Sequence, residues 1–438
     1  MNVDRVGLDE AYRQMRPSAY GVLLLILCIF VGTAEGYDVQ AMALGAPLLA
    51  KAWHLRPGGV GLLLAASVVG QVVGSFLLSP LGDRWGRRPA ILLALCGAAI
   101  ATVAGAFAPD FATLVGTRLA TGLALGLALS NTTAVAMELV PLHWRTIAVV
   151  LVCCGYPAGA AAGAAIVGHL MPSLGYVAIF YVGGGATLIA FLLCAALLPE
   201  SPVMLARADG RQPALHRLLG RLGVTIPPGT RIVLDRAPPR SRVAELLTPE
   251  RRTVTWLLWL LNFANLSLVY YFVMWLPSLF VSRGLAAQSA VAASSLFSAS
   301  GIVGGLVLAA LIVRRGPIAT LAGCYVVTLV GVLAFASVGA IGPLFFVTLA
   351  ICGAMIIGSQ FCLSAVVNQF YPAEIRATGS GYALGAGRLG AVLAPLLGGL
   401  IVAHMPSVAA AFAVASVPAV VSLVAILALR RSRLARAA

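Results

Sequence analysis

Long apolar runs separated by polar segments repeat twelve times along the chain. Each run holds about 20 mostly apolar residues, the length that a helix needs to cross a bilayer. The polar segments are short except for one, residues 199–252. The pattern therefore predicts an all-α membrane protein with twelve transmembrane helices, at 19–48, 58–80, 89–109, 111–139, 146–170, 175–198, 253–281, 289–313, 317–339, 342–370, 377–402 and 406–429.

The amino-acid composition also indicates a membrane protein, and it disfavours several kinds of functional site. Hydrophobic residues make up 61% of the chain and charged residues 10%, whereas soluble domains carry about 25% charged residues. The eight cysteines lie in apolar segments, and the five histidines are scattered without ligand spacing. We therefore expect no disulfide framework, no metal site and no cofactor. With no nucleophile–base pair evident either, the sequence predicts that the protein is not an enzyme.

The long polar segment divides the chain into two similar halves. It contains ten arginines and predicts a six-helix bundle at 1–198, a cytoplasmic linker at 199–252 and a second bundle at 253–438. Several residues recur at an offset of 230 or 231, including Pro47 with Pro277 and Arg145 with Arg376. Six helices per half give both halves the same orientation, an arrangement in which a substrate site lies near the midplane between them.

The distribution of the cations predicts the orientation of the chain. The N-terminus, the C-terminus and the loops after every second helix hold 24 of the 29 Lys and Arg residues. Positive loops stay on the cytoplasmic side, so both termini and the linker are predicted to be cytoplasmic. The net charge of +15 is then a topology signal, and no nucleic-acid partner is expected.

Four ionisable residues lie well inside predicted helices: Glu35, Asp38, Arg118 and Arg388. Each charge costs about 2.5–3.5 kcal/mol at the centre of a membrane helix on the insertion scale. Glu35 and Asp38, three residues apart, share one helix face, and Arg118 lies at a similar depth in the same bundle. The sequence predicts that the two acids and Arg118 offset one another's cost across a polar cavity, with Arg388 supplying a cation from the second half.

Two interpretations of this cluster stay open on the residues alone. A static ion pair would lock the first bundle. Alternatively, two acids facing one arginine leave a carboxylate in excess, and burial without a cation favours its protonated form. Glu35 and Asp38 would then couple protons, while the Arg118 guanidinium holds a carboxylate through two parallel hydrogen bonds.

The stretch "LGDRWGRR" (81–88) lies between the second and third predicted helices. Asp83 with Arg84, Arg87 and Arg88 resembles the loop motif of the major facilitator superfamily, although Ser79 stands where that motif usually begins with glycine. The resemblance implies a gating or structural role for these four residues. The copy in the second half, Val313-Arg314-Arg315-Gly316, lacks the acid.

A narrower resemblance covers nearly the whole chain. The stretches "EGYDVQAMALGAPLL" (35–49), "RLATGLALGLALSNTTAVAMELVP" (118–141), "LPESP" (198–202), "YYFVMWLPSLF" (270–280) and "YPAEIRATGSGYALGAGRLGAVLAPLLGG" (371–399) resemble the aromatic acid:proton symporters of that superfamily. The resemblance implies proton handling near Asp38 and anion binding near Arg118. It departs at Glu35, where the family more often has Asp.

Other residues are assigned candidate roles with alternatives. Asn131 fits either a hydrogen bond to the cargo or a contact between helices. Tyr271 and Trp275 fit either an aromatic slot for the cargo or an interface belt. Gating or structural roles are predicted for Glu138, Arg145, Glu374 and Arg376.

These observations predict a proton-coupled symporter that takes up a small aromatic carboxylate, such as a benzoate, hydroxybenzoate or phenylpropionate, by alternating access. The expected location is the bacterial inner membrane, with the lipid bilayer, protons and the cargo as partners of a monomer. Two alternatives are a proton-driven exporter of small amphiphiles and a non-transporting membrane sensor for aromatic acids. The Gly-Pro-x-x-Gly-Gly pattern expected in the fifth helix of drug antiporters is missing, since Tyr156 precedes Pro157, which disfavours export.

Overall fold

The computed structural model describes residues 5–227, 230–234, 243–337, 342–405 and 407–432. Seventeen α-helices and two short strands lie within these ranges. The strands are β1 (Arg5–Gly7) and β2 (Arg231–Val233). The helices are α1 (Leu8–Gln14), α2 (Ala19–Ala52), α3 (Pro57–Val73), α4 (Pro80–Trp85), α5 (Arg87–Gly105), α6 (Phe111–Glu138), α7 (Arg145–Leu174), α8 (Ala178–Leu197), α9 (Pro202–Arg207), α10 (Gln212–Arg221), α11 (Arg252–Ser282), α12 (Ala287–Arg315), α13 (Pro317–Ser337), α14 (Pro343–Phe370), α15 (Ala373–His404), α16 (Val408–Ala415) and α17 (Val417–Arg431).

Eleven helical runs among the described residues are long and apolar enough to cross a membrane. One of them, Leu142–Leu197, contains both α7 and α8, which meet at a short turn, Gly175–Val177. Counted singly, the helices match the twelve predicted segments. Parts of two predicted segments, residues 338–339 and 406, lie outside the described ranges, as do residues 228–229 and 235–242 of the predicted linker.

Two spans differ from continuous α-helices. After α3, the chain passes through a π-helical stretch, Gly74–Leu78, before α4 begins. The last span is split into α16 and α17 at Ser416, immediately before the Val417–Pro418 start of α17. A proline in the first turn of a helix has no N–H to lose, so the sequence favours a new helix at this point.

Apolar side chains and the bilayer explain why these runs are helical. In lipid, only helices and closed barrels satisfy every backbone hydrogen bond. Large apolar side chains are exposed along the spans, for example Ile100 at 66% and Val424 at 60%, as expected where hydrocarbon replaces water. Pro47 lies inside α2 and Pro277 inside α11, which confirms that both prolines of the predicted repeat occupy helices. Gly86 and Gly316 also correspond, because each ends a helix with positive φ, +110° and +77°.

The described chain forms two compact units. The first unit comprises Met1–Val39, Ala66–Gly159 and Phe180–Pro238, and the second comprises Gln40–Ala65, Ala160–Ile179 and Pro239–Ala438. Helices α2, α3, α7 and α8 therefore contribute segments to both. The division into bundles at 1–198 and 253–438 predicted from the linker stays a prediction.

Close backbone contacts hold the first unit together. A Cβ atom at Gly122 of α6 would clash with the backbone oxygen of Ser67 on α3, so these helices touch along their glycines. Strand β1 pairs in parallel with β2, joining Val6 to Ile232. The segment after α8, predicted only as an arginine-rich linker, contains α9, α10 and β2, and their apolar side chains join the core of this unit.

The second unit has an aromatic and a polar interior. Phe280, Phe335 and Phe345 pack with ring centroids 4.9–5.9 Å apart. Asn265 of α11 is fully buried; its amide donates to Gln360 Oε1 at 2.7 Å, and its carbonyl accepts from the hydroxyl of Tyr325 at 2.8 Å. A polar group in this interior is thus satisfied by neighbouring helices.

Candidate functional site

Arg118 and Asp38 form a buried ion pair in the first unit. Arg118 projects from α6 two turns after the helix begins, and its Nη1 lies 3.3 Å from Asp38 Oδ1 on α2. Both side chains are 1% exposed. Removing two charges from water is costly, and their mutual attraction offsets this cost. The structure therefore brings together Asp38 and Arg118, as their depths in the sequence indicate.

Neutral groups complete the surroundings of this pair. Thr102 of α5 donates to Asp38 Oδ1 at 3.2 Å, and Arg118 Nη2 donates to Thr121 Oγ1 at 3.2 Å. The guanidinium carbon of Arg118 lies 5.2 Å from the ring centroid of Phe180 on α8. A cation at this distance is attracted by the ring face. The site thus combines a charged pair, two hydroxyls and one aromatic surface.

The pair does not use all of its hydrogen-bonding capacity. Asp38 Oδ2 and Arg118 Nε are buried, and neither has a hydrogen-bond partner within the part of the chain that the structure describes. Most buried polar atoms in folded proteins have a partner. The Asp38–Arg118 pair therefore has donor and acceptor capacity available for an additional group.

Glu35 is buried one turn away from Asp38, but its partner is different from the predicted one. Its Oε2 accepts from the hydroxyl of Tyr156 on α7 at 2.9 Å, and that hydroxyl accepts from Gln71 Nε2 on α3 at 2.9 Å. The recorded ion pair of Arg118 is with Asp38. A side chain one methylene longer than Asp reaches the neighbouring helix, which explains why Glu35 contacts Tyr156.

Sequence reasoning missed Gln71 and Thr102 and gave Tyr156 no role in the site. A lone amide in the apolar run of α3 was a usable signal for Gln71. Tyr156 stands between Gly155 and Gly159, whose spacing indicates close helix packing. Glycine at position 36 confirms this closeness, because a Cβ atom there would clash with the backbone of Tyr156.

The other predicted binding residues lie elsewhere. Asn131 is thirteen residues beyond Arg118 on α6, about 20 Å along the axis, and its amide donates to Leu127 O of its own helix. The structure does not bring Asn131 together with Arg118. Arg388 of α15, in the second unit, is half-buried and lies close enough to Tyr270 for an electrostatic interaction.

Tyr271 and Trp275 of α11 are buried inside the second unit, with 4% and 1% of their surfaces exposed. The Tyr271 hydroxyl donates to Ala411 O at 3.2 Å, and Trp275 Nε1 donates to Pro395 O at 3.1 Å. Their polar atoms bond to neighbouring helices, an arrangement that matches neither an exposed interface belt nor an open slot.

A second, partly buried ion pair lies at the other end of α6. Arg87 Nη1 contacts Glu138 Oε1, and Arg87 Nη2 lies 3.6 Å from Asp83 Oδ1. Glu138 Oε2 accepts from the hydroxyl of Ser201, the residue that caps α9. The predicted motif residues Asp83 and Arg87 are thus joined to Glu138 and to the segment that follows α8.

Glu200 binds the backbone of the same loop. Its Oε1 accepts from the N–H groups of Arg87 and Arg88 at 2.9 and 3.2 Å. These are the first N–H groups of α5, where a carboxylate is stabilised by the helix dipole. Gly86 permits the turn with its φ of +110°. Arg88 also donates to Ala195 O at 2.7 Å, so "LPESP" and the loop motif form one cluster.

Arg145 lies over the ring of Tyr12, with its guanidinium carbon 4.3 Å from the ring centroid. Burial, followed by the charge of Glu138, raises the pKa of Tyr12 well above its ordinary value, so Tyr12 stays neutral. A cavity of about 240 Å³ is lined by Tyr12, Arg87, Glu138 and Arg145, among others. Helix α1 therefore covers the end of α6 where the ion pair lies.

The remaining predicted gating residues are Arg84, Arg376 and Glu374. Arg84 is exposed. Arg376 is exposed in the second unit, and its Nε donates to Tyr371 O at 3.2 Å. The side chain of Glu374 lies outside the described residues.

Comparison with solved structures shows the same class of fold. The inward-open xylose transporter XylE from E. coli matches with a TM-score of 0.73 at 14% identity, covering 94% of this chain and 96% of that chain. A D-xylose-proton symporter matches with a TM-score of 0.71 at 16% identity, covering 94% and 98%. The chain therefore shares its fold with these two transporters.

The chain belongs to the Major Facilitator Superfamily, whose family model matches residues 24–388. It is 32% identical to the gallate transporter of Pseudomonas putida over 95% of this chain and 93% of that protein. It is 32% identical to the 3-(3-hydroxy-phenyl)propionate transporter of Escherichia coli, covering 87% of each, and 28% identical to the 4-hydroxybenzoate transporter PcaK of Acinetobacter baylyi, covering 93% and 91%.

These relatives confirm several predictions. The family and the curated relatives are transporters, not enzymes. The relatives are bacterial aromatic acid transporters, and the chain is a multi-pass protein of the inner membrane. The orientation of the termini stays a prediction.

Proposed function

We propose that this chain takes up a small aromatic carboxylate, such as a benzoate, hydroxybenzoate or phenylpropionate, together with protons by alternating access. The observation that carries the proposal is the buried Asp38–Arg118 pair, which is joined by one contact of 3.3 Å and has, on both sides, a polar atom without a partner among the described residues. Support also comes from the names of the relatives, which transport gallate, hydroxyphenylpropionate and hydroxybenzoate.

Arg118 is the proposed anion site. A cargo carboxylate has the same charge and shape as the carboxylate of Asp38, so it can take the place of Asp38 beside the guanidinium. The aromatic ring of Phe180, which lies against Arg118, supplies a surface that suits an aromatic cargo. Asp38 and the cargo therefore compete for one cation.

Competition for Arg118 couples the cargo to protons. If the cargo pairs with Arg118 while Asp38 stays ionised, one negative charge is left uncompensated in the interior, which is unfavourable. One proton on the α2 carboxylates restores the charge balance. We therefore expect one proton to move with each carboxylate, Glu35 and Asp38 being the predicted proton-handling residues.

Uptake by purified protein in proteoliposomes tests the proposal. An inward proton gradient is expected to drive accumulation of radiolabelled 4-hydroxybenzoate or benzoate, and Asp38→Asn is expected to abolish accumulation. Full accumulation by Asp38→Asn would contradict the coupling mechanism. Net efflux under the same gradient in inverted vesicles would identify an exporter, and binding without flux would identify a sensor.

A further inference from the structure

The two carboxylates of α2 are compensated differently. Asp38 is paired with a cation, Arg118. Glu35, which is fully buried, forms no ion pair within the described ranges, and its recorded partner is the neutral hydroxyl of Tyr156. A buried charge without a cation is strongly unfavourable. The interior of this site is therefore electrically neutral when Asp38 is ionised and Glu35 carries a hydrogen.

We infer that Glu35 works as a neutral carboxylic acid that donates a hydrogen bond to an oxygen atom of the cargo, whereas Asp38 alone exchanges the transported proton. This inference rests on the proposed function and divides the roles that the sequence assigns jointly to the two acids. Glu35 then selects and positions the cargo, and it keeps its hydrogen throughout the transport cycle.

The hydrogen bonds around Glu35 indicate which of its oxygens donates. Tyr156 has one hydroxyl hydrogen, and its oxygen already accepts from Gln71 Nε2. That hydrogen is therefore directed to Glu35 Oε2, which acts as the acceptor oxygen of the acid. Oε1 is left to carry the acidic hydrogen. It is buried, and it has no partner among the described residues, so its hydrogen bond is available to a ligand oxygen.

Within the described ranges, the groups that act on Glu35 from α2, α3 and α7 supply no cation. Asp38 acts on it along α2, Tyr156 and Cys153 act from α7, and Gln71 is reached from α3 through Tyr156. The close contact between Gly36 and the backbone of Tyr156 holds α7 against α2 beside Glu35. Ionised Glu35 would place a second negative charge beside Asp38, and Arg118 is the one arginine paired with either acid in the part of the chain that the structure describes.

The charge balance of the transport cycle also supports separate roles for Glu35 and Asp38. The empty site holds ionised Asp38, Arg118 and neutral Glu35. The loaded site holds the cargo carboxylate on Arg118, protonated Asp38 and neutral Glu35, with the same total charge. Loss of a hydrogen from Glu35 at any stage would add an uncompensated charge to an apolar interior.

Three substitutions test this division in proteoliposomes. Glu35→Gln keeps the shape and a donor without a charge, and it should retain proton-driven accumulation within about twofold of wild type. Glu35→Ala removes the donor and should lower uptake about tenfold, the effect of one hydrogen bond. Asp38→Asn should lose accumulation. Higher uptake by Glu35→Gln than by Glu35→Ala would show that Glu35 donates a hydrogen bond and does not exchange the transported proton.

Tyr156 is the proposed positioning residue, and Tyr156→Phe tests it. The KM for the cargo should rise several-fold while the ratio of protons to cargo stays unchanged. Tyr181→Phe makes the same change at a tyrosine of α8 that is 43% exposed, and it should behave as wild type.

Benzoate and 4-hydroxybenzoate identify the acceptor oxygen. If Glu35→Ala lowers the uptake of both acids equally, the acceptor is the cargo carboxylate. If it lowers only the uptake of 4-hydroxybenzoate, the acceptor is the oxygen of the ring hydroxyl. The inference is overturned if Glu35→Gln loses proton-driven accumulation as Asp38→Asn does, or if Glu35→Ala transports as wild type. A wild-type chain that takes up none of these acids would instead overturn the proposed function itself.

Discussion

The Asp38–Arg118 pair and the Arg87–Glu138 pair both join α6 to a neighbouring helix, but their surroundings differ. The first is 1% exposed on both sides, and two of its polar atoms have no partner among the described residues. The second is 14% and 11% exposed, and Asp83 and Ser201 supply further contacts. A pair with unused bonding capacity is suited to exchanging partners, whereas a pair with several additional contacts is suited to holding helices together.

Removal of Arg118 should have the largest effect on uptake and on stability. Arg118→Gln leaves Asp38 buried without a cation, which costs about 3–5 kcal/mol, and it removes the proposed anion site. We expect no uptake and a lower thermal unfolding temperature. The double variant Asp38→Asn/Arg118→Gln should regain stability without regaining uptake. Uptake by Arg118→Gln would show that the anion binds elsewhere.

Arg87→Ala tests the second pair. It leaves Glu138 with the hydroxyl of Ser201 and the charge of Arg145, and it should lower the free energy of unfolding by about 2 kcal/mol, the low end for truncating a hydrogen-bonded charged pair. Cargo affinity measured by calorimetry should stay within about twofold, because Arg87 is remote from Arg118. Arg84→Ala is the matched control, since Arg84 is an exposed arginine of the same motif. A large loss of affinity in Arg87→Ala would mean that the two pairs are coupled.

Gly86→Ala tests whether the loop that positions Arg87 requires a glycine at its turn. A side chain at φ +110° is strained by about 1–2 kcal/mol, and its Cβ atom would contact the carboxylate of Glu200. We expect a lower unfolding temperature with unchanged cargo specificity. Gly116→Ala, on α6 with open space around its Cα, should be neutral or stabilising. Equal effects of the two substitutions would contradict this explanation.

Substitution of Asp110, which caps the start of α6, should have the smallest effect on the stability of that helix. Asp110 is exposed, and its hydrogen bond from the N–H of Thr113 lowers its pKa. A lowered folded-state pKa means that the contribution is present above the ordinary value, about 3.9, and is lost as the pH falls below it. The protection factor for hydrogen exchange at the start of α6, which removes the intrinsic pH dependence of amide exchange, should therefore fall in acid, and this acid dependence should be weaker in Asp110→Asn.

Much of the architecture could be predicted from the sequence, because a bilayer requires long apolar helices. The pairing of Asp38 with Arg118 was also predictable, since both charges lie at one depth and need an opposite charge. The partner of Glu35 was not, because it depends on the rotation of α7 against α2. Strand β1 has three residues and no alternating pattern, so no sequence signal indicated its pairing with β2.

The pairing of β1 with β2 has a consequence for biosynthesis. Arg5–Gly7 is synthesised before its partner Arg231–Val233, which follows only after six spans have been made. The early strand must wait unpaired while those spans enter the membrane. Pairing of β1 with β2 would then occur only after the six intervening spans have been assembled.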